Sequence, residues 1–258
     1  MPQVIAIVNQ KGGVGKTTTA VNLSACLAAA GRRVLLIDSD PQGNATSGLG
    51  ISKAQLERCI YDVLINDVPL SDTLIATEVE GLDLVPATIN LAGAEIELVS
   101  EMSREVRLGN ALRSVSGRYD YVLIDSPPSL GLITLNVLAA ARAVLIPIQC
   151  EYYALEGITQ LMNTVQRVRK HLNPHLALLG VVLTMHDYRT RISSEVIREV
   201  RGYFKGSVFQ TVIPRNVKLS EAPSHGKPIN RYDPRSRGAE AYAQLAAEVM
   251  RVAEKGTG

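Results

Sequence analysis

Short runs of β-branched and aliphatic residues recur along the chain at 4–8, 34–37, 82–85, 121–124, 144–148, 178–183 and 208–213. The runs are nearly continuous in hydrophobicity rather than alternating, which is the pattern of strands covered on both faces. Between them, apolar residues return at helical spacing over 17–30, 55–65, 89–102, 155–171, 193–204 and 238–254. Strands alternating with helices require crossover connections and therefore a mostly parallel sheet. The pattern predicts an α/β fold: one doubly wound, mostly parallel sheet with helices on both faces. No repeat or low-complexity linker divides it, so residues 1–255 are expected to form one domain and 256–258 a loose tail.

Composition narrows the class. Hydrophobic residues make up 46% of 258, yet there are 2 Phe and 0 Trp, so the core must be aliphatic. The cysteines at 26, 59 and 150 have no metal-ligand spacing, and Met1-Pro2-Gln3 leads straight into a strand without a signal-peptide pattern. A reduced, cytoplasmic protein is expected. The longest apolar stretch, 132–148, is broken by Asn136, Arg142 and Pro147, so it is not expected to span a membrane. Net charge is only +2, but its distribution is uneven: residues 1–162 hold 11 Lys/Arg against 17 Asp/Glu, and residues 163–258 hold 16 against 8. The last third is a candidate surface for a polyanion.

The first strand run feeds Asn9-Gln10-Lys11-Gly12-Gly13-Val14-Gly15-Lys16-Thr17-Thr18, a glycine-rich turn that opens a helix. Glycines let backbone N–H groups close on a phosphate, and the helix N-terminus adds positive potential. On this reading the fold is of the P-loop NTPase type: Lys16 reaches the β and γ phosphates, and Thr17 ligates Mg²⁺. Two further apolar strands end in carboxylates, at Asp38-Ser39-Asp40-Pro41-Gln42-Gly43 and at Asp125-Ser126-Pro127-Pro128. Parallel sheets bind ligands beyond the carboxyl ends of their strands, which brings these aspartates beside the loop. Asp125 reads as the metal-holding aspartate. A turn-forming or helix-capping role competes for Asp38. No guanine-reading Asn-Lys-x-Asp string occurs, so ATP is favoured over GTP.

The loop departs from the common pattern, with Gln10 where the first glycine belongs and a second lysine at Lys11. Lys-Gly-Gly-Val-Gly-Lys-Thr resembles the deviant Walker A loop of the ParA/MinD superfamily, and the strings at 40–50, 125–131, 149–157 and 212–229 resemble chromosomal ParA/Soj-type partition ATPases. The resemblance implies that Lys11 acts across a homodimer on the partner's nucleotide. Lys11, Gly12, Gly13, Val14, Gly15, Lys16, Thr17 and Thr18 would form the cradle, and Gly12 and Gly13 would let two loops meet. It implies that Asp40 positions the attacking water, that Asp38 supports the loop and metal shell beside Thr17 and Asp125, and that Lys11, Lys16 and Asp40 are the catalytic set. Thr184, Met185, Pro214, Arg215 and Asn216 would pack and read adenine.

By the same resemblance the cofactors are ATP and Mg²⁺. The partners are non-specific double-stranded DNA, through Arg189 and Lys218, and a ParB-type centromere-binding protein that stimulates weak hydrolysis. The protein would be cytoplasmic and nucleoid-associated, with no membrane contact, since residues 239–254 are mixed in charge. Alternatives are a related ATPase that positions another cargo and a P-loop small-molecule kinase or ligase. An ordinary solvated face competes as the account of the basic residues.

Overall fold

The strands are buried on both sides because successive residues point to opposite helical layers. The computed structural model describes residues 2–152 and 154–255; Tyr153 and the expected tail lie outside the described residues. In chain order the elements are β1 (Gln3–Ile7), α1 (Lys16–Ala29), β2 (Val34–Asp38), α2 (Asn44–Gly48), α3 (Ile60–Ile65), β3 (Ile75–Ala76), β4 (Leu82–Val85), α4 (Leu91–Glu97) and α5 (Arg107–Ala111). There follow β5 (Tyr121–Asp125), α6 (Leu132–Ala140), β6 (Ala143–Gln149), α7 (Ile158–His171), β7 (Ala177–His186), α8 (Arg191–Phe204), β8 (Val208–Pro214), α9 (Val217–Glu221), α10 (Ile229–Tyr232) and α11 (Arg237–Lys255).

The strands form one eight-stranded sheet in the order β3-β4-β2-β5-β1-β6-β7-β8, parallel throughout except for β3 at the edge. Ile5, Ile7, Leu36 and Leu123 face one layer, with Leu23 and Leu27 of α1 and Tyr242, Leu245 and Val249 of α11. Ala6, Leu35, Ile37, Val122 and Ile124 face the other, with Ile60 of α3, Val137 of α6, and Leu161 and Val165 of α7. The mostly parallel, doubly covered sheet expected from the pattern is the one found. The apolar face of α11 packs on the sheet through Ala239, Tyr242, Leu245, Ala246 and Val249, and among the described residues no helix is long and apolar enough to cross a membrane.

Several element boundaries differ from the hydrophobic pattern for local reasons. The expected helix 55–65 begins only at Ile60, because the Cys59 N–H donates to the Asp62 carboxylate (2.9 Å) in a capping box that starts α3 there. The segment 89–102 is α-helical only to Glu97; a 3-10 turn follows, where the Ser100 hydroxyl donates to the Glu97 carbonyl (3.1 Å), and Glu101 is extended. Gly157 at φ 75° delays α7 to Ile158. The apolar stretch 132–148 is two elements, α6 and β6. The chain leaves the helix after Ala140, and the Arg142 N–H donates to the Val4 carbonyl (2.8 Å), drawing the next residues into the sheet beside β1.

Candidate active site

Three strand ends meet at the carboxyl edge, since Ile7 and Asp38 are each in register with Asp125. Hydrogen bonds from the residues just beyond tie the loops together. Ser126 Oγ donates to the Ile7 carbonyl (2.8 Å), and the backbone N–H (3.0 Å) and hydroxyl of Ser39 donate to the Asp125 carbonyl. Asn9 Nδ2 donates to the Pro147 carbonyl (2.7 Å) while its Oδ1 accepts from the Lys11 N–H (3.0 Å). Thr184 Oγ1 donates to the Val14 carbonyl (2.8 Å), so the loop 9–15 is fixed from β6 and β7 as well.

Within this loop Gly13 (φ 75°) and Gly15 (φ 87°) are left-handed, where a side chain would be strained. Gly15 is the N-cap of α1 and supplies no side-chain cap, which leaves the first amides of the helix for an anion. Lys16 lies 7% exposed and its Nζ donates to the Lys11 carbonyl (3.1 Å). Burial lowers its pKa, opposed by Asp125 and then Asp40. The Lys11 ammonium has no ion-pair partner among the described residues. Gly12 is exposed, is not left-handed, and would have nothing within 4 Å of an added Cβ. Neither the backbone nor the packing of this chain requires a glycine there.

The three aspartates are not equivalent. Asp125 is fully buried, and neither carboxylate oxygen has a partner at good hydrogen-bond geometry among the described residues, the Thr17 hydroxyl lying close by. Burial, and then the Asp38 charge, holds its pKa well above the usual carboxylate range against the nearby Thr17 hydroxyl and Lys16. An orphaned buried carboxylate beside a threonine hydroxyl and open to the phosphate loop fits a hydrated divalent cation. Asp38, also fully buried, is already engaged: Oδ2 accepts from the Thr46 N–H (2.8 Å) and hydroxyl (2.7 Å), and Oδ1 accepts from the Asp40 N–H (3.2 Å). Burial raises its pKa and the Thr46 bonds lower it. These contacts tie the end of β2 to the 40–46 segment. Asp40 is 8% exposed and, among the described residues, accepts only the Gln42 N–H (2.9 Å) on Oδ1. Its turn depends on Gly43, which is left-handed (φ 59°) and would bring a Cβ to 2.7 Å from the Ala87 carbonyl oxygen. Among the described residues no group of three or more His, Cys, Asp or Glu could hold a metal alone, so a cation here would take further ligands from water or phosphate.

Beside the loop a cavity of about 460 Å³ brings together Gly15, Thr18, Met185, Pro214, Arg215 and Asn216. Every residue expected at the adenine therefore converges on one space next to the phosphate cradle. Met185 is held at φ 54°, a conformation rare for a side-chain-bearing residue and characteristic of functional sites. The sequence reading missed Tyr242 of α11, which lines the same cavity and shares a hydrogen bond with Thr19 (3.2 Å). It also missed Glu151, which pairs with Arg215 (3.0 Å). Arg189 and Lys218 sit elsewhere, exposed on the β7–α8 loop and on α9. Each is already paired within the chain, Arg189 with Asp187 (2.8 Å) and Lys218 with Glu221 (2.9 Å).

The sporulation initiation inhibitor protein Soj of Bacillus subtilis is 65% identical over 96% of this chain and 98% of its own length, and the chromosome partitioning protein ParA of Myxococcus xanthus is 57% identical over 96% and 88%. The chain belongs to the ParA/Soj family of chromosome-partitioning ATPases. A family model described as an AAA domain matches residues 2–178. Among solved structures, cobyrinic acid a,c-diamide synthase from Mycobacterium smegmatis with bound ADP and magnesium is 41% identical, with a TM-score of 0.88 over 99% of this chain and 97% of that one. The ParA/Soj resemblance carried by the loop and strand-end motifs is thus shown, and it extends over nearly the whole chain.

Proposed function

We propose that this ParA/Soj-family chain binds ATP and Mg²⁺, dimerises when ATP-bound, coats DNA without sequence preference, and segregates chromosomal or plasmid DNA with a ParB-type partner that stimulates its slow hydrolysis. The observation that carries the reading is the outer edge of the phosphate loop. Lys11 presents an ammonium with no ion-pair partner among the described residues, beside a Gly12 where an added Cβ would meet none of them within 4 Å. Both features make sense if a second copy faces the loop, with Lys11 reaching the other copy's nucleotide as a cation supplied in trans.

The remaining roles follow from position. The amides of Gly13 to Thr18 and the buried Lys16 ammonium bind the phosphates, and the cavity at Met185 and Pro214 to Asn216 takes the base. When bound, Mg²⁺ would supply positive charge against that developing on the transferred phosphoryl group. Thr17 and Asp125 would hold it, with Asp38 acting behind them by fixing the loop that carries Asp40. Asp40, with one carboxylate oxygen without a hydrogen-bond donor among the described residues, orients a water toward the γ-phosphate. Arg189 and Lys218 contribute phosphate contacts, for which Asp187 and Glu221 must release them. On this reading the protein acts in the cytoplasm, on the nucleoid.

The name of the Mycobacterium smegmatis protein favours a second reading, an ATP-dependent ligase. In this chain the thiols of Cys26 and Cys150 are buried and pushed up to about 12, so neither supplies a nucleophile at neutral pH. Asp40→Ala decides between the two. The partition reading expects a variant that binds ATP, elutes as a dimer in ATP and hydrolyses slowly. A variant that stays monomeric in ATP, or one with normal turnover, sinks the assignment of Asp40 and the dimer cycle with it.

A further inference from the structure

The turn after Asp125 is held at both ends, and its far end is held by a residue with no assigned role. The near end is pinned by Ser126 Oγ on the Ile7 carbonyl (2.8 Å). The far end enters α6 at Gly131, an N-cap with no side chain to satisfy the first amides of the helix. Glu95, half-buried on α4, supplies them instead: Oε2 accepts from the Leu132 N–H (2.8 Å) and Oε1 from the Ile133 N–H (3.3 Å). A carboxylate at a helix N-terminus is favoured by both hydrogen bonding and the helix dipole. The fit leaves no room to spare, because a Cβ at Gly131 would lie 2.4 Å from each Glu95 oxygen. The strut is itself anchored, since Leu91, Ala94 and Leu98 on either side of Glu95 are fully buried.

Given the ATPase reading above, on which this inference rests, we infer that Glu95 is a positioning residue for hydrolysis. It clamps the 126–131 turn so that Asp125 and the turn keep their place beside the phosphate loop. Between the two clamps lie Pro127 and Pro128, whose rings limit how the turn can bend. The Thr134 hydroxyl of α6 donates to the Ser129 carbonyl (2.6 Å), which ties the turn to the helix as well, so a shift of the α6 N-terminus is carried into the turn. Glu95 does not line the cavity beside the phosphate loop, so its loss should act on turnover and not on the cradle.

The test compares Glu95→Ala, Glu95→Gln, Gly131→Ala and the double variant Glu95→Ala/Gly131→Ala for ATP turnover, ADP affinity and Tm. Misplacement of the turn should lower kcat about ten- to a hundredfold in Glu95→Ala, with ADP affinity within about twofold of wild type. Glu95→Gln keeps one carbonyl acceptor and should fall between. Gly131→Ala, whose methyl displaces the carboxylate, should lower kcat like Glu95→Ala and add little in the double variant. Unchanged kcat in Glu95→Ala would overturn the inference. So would a parallel loss of kcat, ADP affinity and Tm that Glu95→Gln does not relieve, since that marks a residue needed only for folding. Absence of turnover in the wild type would instead refute the ATPase reading itself.

Discussion

Gly12→Val isolates the interface from the cradle. Gly12 is exposed, an added Cβ meets none of the described residues within 4 Å and its backbone is not left-handed, so folding stability should change by less than about 0.5 kcal/mol. ATP affinity should likewise hold, because the strained positions, Gly13 and Gly15, are untouched. Across a two-fold axis the substitution enters twice. Overpacking costs about 1–3 kcal/mol per site, so a symmetric contact loses about 2–6 kcal/mol and the dimer dissociation constant rises roughly 30-fold to more than 10,000-fold. Gel filtration with light scattering in ATP, beside a thermal melt and a nucleotide titration, reads all three quantities. An ATP-bound dimer of wild-type strength would refute close approach of the loops, and a large fall in Tm would show that the monomer does need this glycine.

Lys16→Ala should abolish nucleotide binding, since it removes the buried ammonium that lies beside Asp125 and Asp40 in the cradle; calorimetry showing wild-type ATP affinity would contradict it. Asp125→Asn should raise the Tm of the nucleotide-free protein while weakening Mg-ATP binding. Because burial raises the Asp125 pKa in the fold, its carboxylate costs nothing below the unfolded pKa and destabilises increasingly as pH rises through the folded one. The gain in Tm should therefore be larger at pH 8 than at pH 5. Equal gains at both would refute the assignment. Arg189→Glu and Lys218→Glu should each weaken DNA binding and flatten its salt slope by about 1 per lost contact while sparing ATP-dependent dimerisation. An unchanged slope returns these residues to an ordinary solvated surface.

The sheet and the phosphate loop were legible in the sequence because their signals are local. Apolar runs of four to six residues marked every strand but the two-residue edge strand β3, and the glycine-lysine string marked the cradle. Asp125 and Asp38 could be placed beside it because parallel strands deliver their carboxyl ends to one edge. What the sequence hid is contact at a distance. Tyr242 meets Thr19 across 223 positions, and Glu95 caps α6 across 37, with no spacing rule to announce either. Helix starts were misplaced where a single side chain or glycine decides them, as Asp62 and Gly157 do. The contacts of Asp38 depend on where Thr46 sits, and a hydrophobic pattern carries no information on that.

The central claim, an ATP-gated clamp on DNA, is tested most directly by measuring binding to two unrelated duplexes of equal length across a salt series, with ATP, with ADP and without nucleotide. The account predicts binding in ATP alone, equal for the two duplexes and falling linearly in log–log form with salt, because two basic surfaces joined in one dimer contact phosphates rather than bases. Tight binding without nucleotide, or a preference for one duplex over the other, would contradict it.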